Sequence, residues 1–311
     1  MNILVFGKDG QLGRAFQDQL QTFQVHQENT VRFVGRNECD LRNLKELRDL
    51  LHSSSPDVII NAAAYTAVDK AETEEDLAFA INAEAPDVMA QYAASRGAAL
   101  LHFSTDYVFD GSKQDAYSEL DQTNPLSIYG KSKEAGERAI VNAFPKSAGQ
   151  YAILRTSWVY GDGGNFIRTI LSLGKERTEL RVIGDQFGVP TSAQWLAELG
   201  TQLAFNLANQ KWTSGIYHAV PRGETNWYGL AKLALQSAID AGVTLKIAPE
   251  AIQPITASEY PLPAPRPMNS RLSTEKLQLE IERLDLVSKL THWNTPWDEQ
   301  VSAYVKQLSV N

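Results

Sequence analysis

The chain has 311 residues, with 37 acidic against 29 basic side chains and a formal net charge of -8. That length supports one large or two ordinary domains, and 43% apolar with 21% charged residues excludes a chain disordered throughout. The acidic balance speaks against nucleic acid held by general charge attraction. The single cysteine, Cys39, excludes an internal disulfide. No apolar run approaches the roughly 20 residues of a membrane helix. The N-terminus shows neither a basic leader nor a cleavage site. The expectation is a cytoplasmic globular protein with neither nucleic acid nor membrane as partner.

The first half alternates two patterns. Short β-branched apolar runs fall at Asn2–Gly7, Val31–Gly35, Asp57–Ala63, Ala98–Thr105 and Tyr151–Tyr160. Apolar on consecutive positions, they suit strands buried on both faces. Helical spacing fills the gaps at Leu12–Leu20, Leu44–Leu51, Ala83–Ala94 and Tyr129–Val141. This alternation predicts an α/β fold, a Rossmann-type doubly wound parallel sheet. After about residue 160 the rhythm changes. Helical segments near Phe166–Lys175, Ser192–Asn209 and Tyr228–Ala241 are separated by loops and short strands. Four of the 13 prolines fall within Tyr260–Pro267, which predicts a stiff loop. We read residues 1–160 as a dinucleotide-binding domain and 161–311 as a smaller substrate-binding portion, some of whose segments return to the first sheet.

Gly7, Gly10 and Gly13 follow the first strand and open the first helix. The first glycine suits the tight turn, the second a close approach of the backbone to a diphosphate, and the third close packing of helix on sheet. The helix N-terminus adds free N–H groups and partial positive charge. By itself a glycine triplet fits any strand–turn–helix; its place after a buried strand points to a dinucleotide. Gln11 and Leu12 lie inside this loop. An acidic residue at the end of the second strand would signal NADH. Here Arg36 stands there, and a guanidinium can hold a 2′-phosphate through paired hydrogen bonds. NADPH is therefore favoured, with NADH as the alternative. Asp40 and Leu41 are placed to flank the adenine.

Tyr129 and Lys133 stand at i and i+4 and share a helix face. A free phenol has a pKa of about 10 and needs tuning to exchange protons near neutrality. A nearby ammonium would lower it. Thr105 ends the fourth strand, where parallel sheets bind ligands, and could donate to the carbonyl oxygen that Tyr129 protonates. Taken singly, each has an ordinary structural explanation.

In this order they resemble the hydroxyl–Tyr–Lys triad of the extended short-chain dehydrogenase/reductase superfamily. Asn61–Glu72, Ser104–Phe109, Arg155–Tyr160, Asp185–Thr191 and Arg266–Leu272 narrow the resemblance to the dTDP-4-dehydrorhamnose reductases. That family reduces the 4-keto group of dTDP-4-dehydro-6-deoxy-L-mannose to dTDP-L-rhamnose, the last step in making this sugar donor for cell-surface polysaccharides. The resemblance implies that Tyr129, Lys133 and Thr105 are catalytic. It places Ala62, Ala63 and Ala64 beside the cofactor, with Tyr129 and Lys133 also touching it. It puts Thr105, Asp106, Tyr107, Trp158, Arg266 and Arg271 at the sugar nucleotide.

Sugar-nucleotide dehydratases of the superfamily carry Glu where this chain has Tyr107, which disfavours elimination. Some reductases of the family form a magnesium-bridged dimer through glutamates whose counterparts here are Ala15 and Gln194. Neither is a carboxylate, and magnesium needs hard charged oxygens. No metal is therefore expected, and a monomer or weak homodimer is. His26, His52, His102, His218 and His292 show no metal-ligand spacing. The alternatives are a non-catalytic NADP-binding regulatory subunit, and a reductase or epimerase of another sugar nucleotide.

Overall fold

The five apolar runs of the first half become β1 (Asn2–Phe6), β2 (Thr30–Val34), β3 (Val58–Asn61), β4 (Ala99–Thr105) and β5 (Gln150–Thr156). The computed structural model describes residues 1–24 and 29–310, so His26 lies outside the described residues. A sixth strand, Gly215–His218, arrives from the later half and pairs with β5. The sheet order is sixth strand, β5, β4, β3, β1, β2, and every neighbouring pair is parallel. This is the predicted doubly wound Rossmann-type sheet.

Successive strand residues point to opposite faces, and both faces are apolar. Ile3, Val5, Val58, Ile60, Leu101 and Leu154 meet Phe16, Leu20, Leu196, Leu199 and Leu203 on one side. Leu4, Phe6, Ile59, Leu100 and Ile153 meet Leu47, Leu51, Met89 and Ile140 on the other. The helix Ala193–Ala208 of the later half thus covers the sheet beside Gln11–Gln24. Helices start where side chains can take up free N–H groups. Ser127, Asn165, Ser192 and Asn226 accept from Gly130, Arg168, Trp195 and Asn226's own third successor, Gly229, respectively.

Two predicted elements come out differently. The run Tyr151–Tyr160 is not one strand. It stops at Thr156, Trp158 takes a left-handed φ of 48°, and Val159–Tyr160 pairs instead with Thr191–Ser192. The predicted helix Ala83–Ala94 is the end of a longer helical stretch, Glu75–Arg96, with a π turn at Ala80–Glu84. Pro86 has no N–H to give to the carbonyl of Asn82, so the ladder shifts there.

The later half adds short pairs: Leu180–Ile183 with Ile252–Ile255, and Phe187–Gly188 with Thr225–Asn226. The helices Phe166–Glu176, Trp227–Asp240 and Trp297–Val310 pack around Tyr160, Ile167, Leu230 and Val301. Tyr260–Pro267 forms neither helix nor strand.

Arg155, on β5, is buried beneath the helix Ile128–Ala143. Its guanidinium donates to both carboxylate oxygens of Glu137, at 2.9 and 2.7 Å, and lies over the Phe109 ring. Both side chains are at most 4% exposed. Removing one partner leaves the other charge buried and unpaired. Glu137→Ala should therefore lower the free energy of unfolding by about 3–5 kcal/mol, read from urea denaturation.

Candidate active site

The sequence-predicted cofactor residues and Thr105 gather at the carboxyl ends of β1 to β4. Gly7 has a φ of 88°, and a Cβ there would sit 2.7 Å from the backbone of Ala62 and Ala63. A Cβ on Gly13 would fall 2.0 Å from the Gly7 carbonyl oxygen, so the first helix can approach the turn only with glycine there. At Gly10 the nearest atom to such a Cβ is 3.4 Å away, which leaves this backbone open to a ligand. In front of the turn lies a cavity of about 510 Å³. Gly7, Gly10, Gln11, Leu12, Arg36, Asp40, Leu41, Ala62, Ala63, Ala64, Tyr129 and Lys133 all line it. Gly13 stands behind the wall. The lining also includes Asp9, Cys39, Tyr65, Ser104, Thr156 and Val159, which sequence reasoning did not single out.

Lys133 is buried. Its Nζ donates to the Phe103 carbonyl oxygen at 2.6 Å and lies 3.3 Å from His102 Nε2. The His102 ring is held from its other side by Asn61, 3.0 Å away, whose Oδ1 accepts from Ala63 N–H. Burial pushes the Lys133 amine down to about 8 and holds His102 well below its ordinary value, so His102 is neutral. Nothing in the sequence pattern marked His102 as a neighbour of Lys133; the pairing of β3 with β4 sets Asn61 beside His102, and packing of the helix Ile128–Ala143 against β4 brings the lysine to them.

Tyr129 is half-buried between Tyr107, whose ring stands edge-on at 5.6 Å, and the end of β4. The sequence argument expects the lysine to lower the phenol. The structure corrects it: burial pushes Tyr129 up to about 12, the neighbouring Thr105 hydroxyl works the other way, and the Asp106 carboxylate raises it further. The ammonium is spent on Phe103 and His102. A raised phenol keeps its proton at neutral pH, the state a proton donor needs. Thr105 also donates to Asp106 at 2.9 Å, and burial pushes that carboxyl up to about 6.

A second cavity, of about 1040 Å³, lies in the later half. Arg177, Arg181, Lys246 and Arg266 contribute cations to its lining, Glu176, Glu179 and Glu259 carboxylates, and Trp227, Tyr260 and Phe166 rings; Arg181 is paired with Glu259. Arg266 links the two regions: it binds Asp69 through two nitrogens, at 3.0 and 2.8 Å, and its charge is felt by Tyr107. Arg271 lines neither cavity. Its guanidinium is engaged with Asn269, Glu224 and the Gln114 carbonyl. Trp158 stacks on Trp227 with ring centroids 3.8 Å apart. Ala15 and Gln194 face a third cavity, and among the described residues no cluster of His, Cys, Asp or Glu is placed to hold a metal ion.

A sequence profile of the family described as the RmlD substrate binding domain matches residues 1–309. The dTDP-4-dehydrorhamnose reductase of Salmonella typhimurium is 44% identical over 285 residues, 89% of this chain and 91% of that one. The chain belongs to the dTDP-4-dehydrorhamnose reductase family. A crystal structure of a family member from Clostridium acetobutylicum shares 35% identity over 99% of both chains, with a TM-score of 0.84. Another, from Bacillus anthracis, was solved in complex with NADP; it is 31% identical over 98% of both chains, with a TM-score of 0.81. Within the reductase family the extended arrangement described above is thus the shared frame.

The buried amine carries a testable stability cost. Below about pH 8 the lysine is charged in both folded and unfolded chains, and the folded chain bears the full penalty of burying it. Between about 8 and the ordinary value of 10.5 the unfolded chain holds a proton that the folded one has released, so stability climbs with pH. Lys133→Met should therefore stabilise the protein by about 1–3 kcal/mol at pH 7. That advantage should shrink steadily from pH 8 to 10 in thermal melts.

Proposed function

We propose that this protein reduces the 4-keto group of dTDP-4-dehydro-6-deoxy-L-mannose to dTDP-L-rhamnose, with NADPH as reductant. The observation that carries this reading is the Tyr129 phenol, which lines the first cavity together with the buried Lys133, beside the end of β4 that carries Thr105. The residues present fit a dinucleotide. Glycine turn, open Gly10 backbone and helix N-terminus suit the diphosphate. Ser104 Oγ, buried in the lining without a partner, is a free polar group for the nicotinamide end. When bound, the cofactor supplies the hydride that reaches the sugar C4.

The chain's own residues do the rest. Tyr129 gives its proton to the O4 that becomes the alcohol. Thr105, whose single hydroxyl proton goes to Asp106, turns it to the same oxygen when substrate is bound and stabilises the charge developing there. Lys133 binds the nicotinamide ribose hydroxyls with the N–H groups that Phe103 leaves free. Ala62, Ala63 and Ala64 support the cofactor, Leu41 and Asp40 flank its adenine, and Gln11 and Leu12 meet the diphosphate. Asp106, Tyr107, Trp158 and Arg266 border the sugar nucleotide. Arg271 supports that border from outside through Asn269 and Glu224. In the second cavity Arg177 and Lys246, which lie outside the ion pairs Arg181–Glu259 and Arg266–Asp69, suit a nucleoside diphosphate.

Residues 1–160 serve mainly the cofactor and 161–311 mainly the sugar nucleotide, with Gly215–His218 and Ala193–Ala208 built into the first unit. The protein works as a monomer or weak homodimer without a magnesium bridge, since Ala15 and Gln194 offer no carboxylate. We place it in the cytoplasm; among the described residues no helix is long and apolar enough to cross a membrane.

The test follows NADPH absorbance with dTDP, UDP and GDP 4-ketosugars side by side. Fastest turnover is expected with the dTDP sugar, and Tyr129→Phe should lower kcat by about 10²–10⁴-fold with NADPH binding retained. Near-normal turnover in that variant, or a faster UDP or GDP sugar, would reject the assignment. Arg36 is exposed, and its one ionic neighbour among the described residues, Asp40, is 3.8 Å away, which leaves the guanidinium able to turn to a 2′-phosphate. Arg36→Ala should cut the NADPH-over-NADH preference in kcat/KM about tenfold or more.

A further inference from the structure

Trp158 is held in an uncommon way. Its φ of 48° is left-handed, a region that disfavours bulky side chains. Such strain persists only where the surroundings over-determine it, and here two neighbours do so. Trp227 stacks on the indole at 3.8 Å with an interplanar angle of 17°. Gly188 lies under its edge, where a Cβ would come within 2.7 and 2.8 Å of Cε2 and Cζ2. The two neighbours are not independent. Gly188 pairs with Thr225 and Phe187 with Asn226, and Asn226 caps the helix that opens with Trp227. Asn226 also donates to the Gly184 carbonyl at 2.8 Å. One short ladder therefore sets the spacing of both contacts to the indole. Phe166 backs Trp227 at 4.7 Å. Trp227 itself lines the cation-bearing cavity, and Trp158 does not.

We propose that Trp227 is a positioning residue: stacked on Trp158 and tied to Gly188 through the ladder, it presets the indole that borders the ketosugar. The proposal rests on the reading that Trp158 faces that sugar. An indole already fixed in place loses no freedom when the ligand docks, so its loosening weakens binding more than chemistry.

The experiment compares steady-state kinetics of the full chain, with NADPH and dTDP-4-dehydro-6-deoxy-L-mannose, for Trp227→Ala, Trp227→Phe, Gly188→Ala and Trp158→Ala. Trp227→Ala and Gly188→Ala should each raise the ketosugar KM about five- to tenfold. Their kcat and their NADPH affinity should stay within about twofold. Trp227→Phe, which restores an aromatic face, should recover most of the KM. The near-UV circular dichroism of the stacked indole pair should vanish in Trp227→Ala. An unchanged KM in both Trp227→Ala and Gly188→Ala, beside a raised KM in Trp158→Ala, overturns the proposal alone. An unchanged KM in Trp158→Ala overturns the reading beneath it, and the proposal with it. Should Trp227→Ala also lose NADPH binding, its effect is one of folding, and Trp227→Leu, which keeps bulk without an aromatic face, decides: a raised ketosugar KM supports the proposal and an unchanged one overturns it.

Discussion

Lys133 hangs inside the protein from the carbonyl oxygen of Phe103, 2.6 Å away. An ammonium in such a place is costly to keep, and the surrounding structure is arranged to keep it. The helix Ile128–Ala143 must run close to the ends of β3 and β4 for the side chain to reach. Glycine makes that approach possible: a Cβ on Gly130 would lie 2.3 Å from the Tyr107 carbonyl oxygen, and one on Gly136 would lie 2.1 Å from that of Asn82. One turn deeper, Glu137 and Arg155 lock the helix to β5. One turn earlier, Tyr129 is carried to the end of β4, beside Thr105. The position of the phenol is thus a consequence of where the lysine is anchored.

The protonation states follow from the same enclosure. Burial disfavours the charged form of every group it covers, so the phenol is pushed up, the amine down, and His102 stays neutral. A site built this way holds a proton on oxygen while keeping its lysine near the point of release. That combination suits reduction of a ketone, in which one proton must be delivered and then replaced from solvent.

The later half meets this centre through cations and rings rather than through a second catalytic group. Arg266, fixed by Asp69 from the first half, bridges the Tyr107 wall and the large cavity. The stiff proline segment around it limits how far the guanidinium can move. In the proposed reading, a fixed Arg266 and a preset Trp158 would reduce the ordering that a flexible sugar nucleotide otherwise imposes on the protein.

The parallel sheet, the glycine turn and the Tyr129–Lys133 face were all legible in the chain by itself. Each depends on contacts local in sequence: period-two or helical spacing, a turn that needs glycine, two side chains one helical turn apart. The break at Trp158 was not legible, because one small polar Ser157 does not end a strand whose flanks, Leu154 and Trp158–Val159, stay strand-like, and only the fold offers Val159 a different partner in Thr191. Nor were the roles of His102 with Lys133, of Asp69 with Arg266, or of Trp227 with Trp158, which join residues 31, 197 and 69 positions apart. The direction in which the phenol shifts also escaped a reading of neighbours along the helix. Proximity in sequence suggested an ammonium at its side, whereas the folded chain sends that ammonium to a backbone oxygen and leaves desolvation, a property of the whole surroundings, in charge.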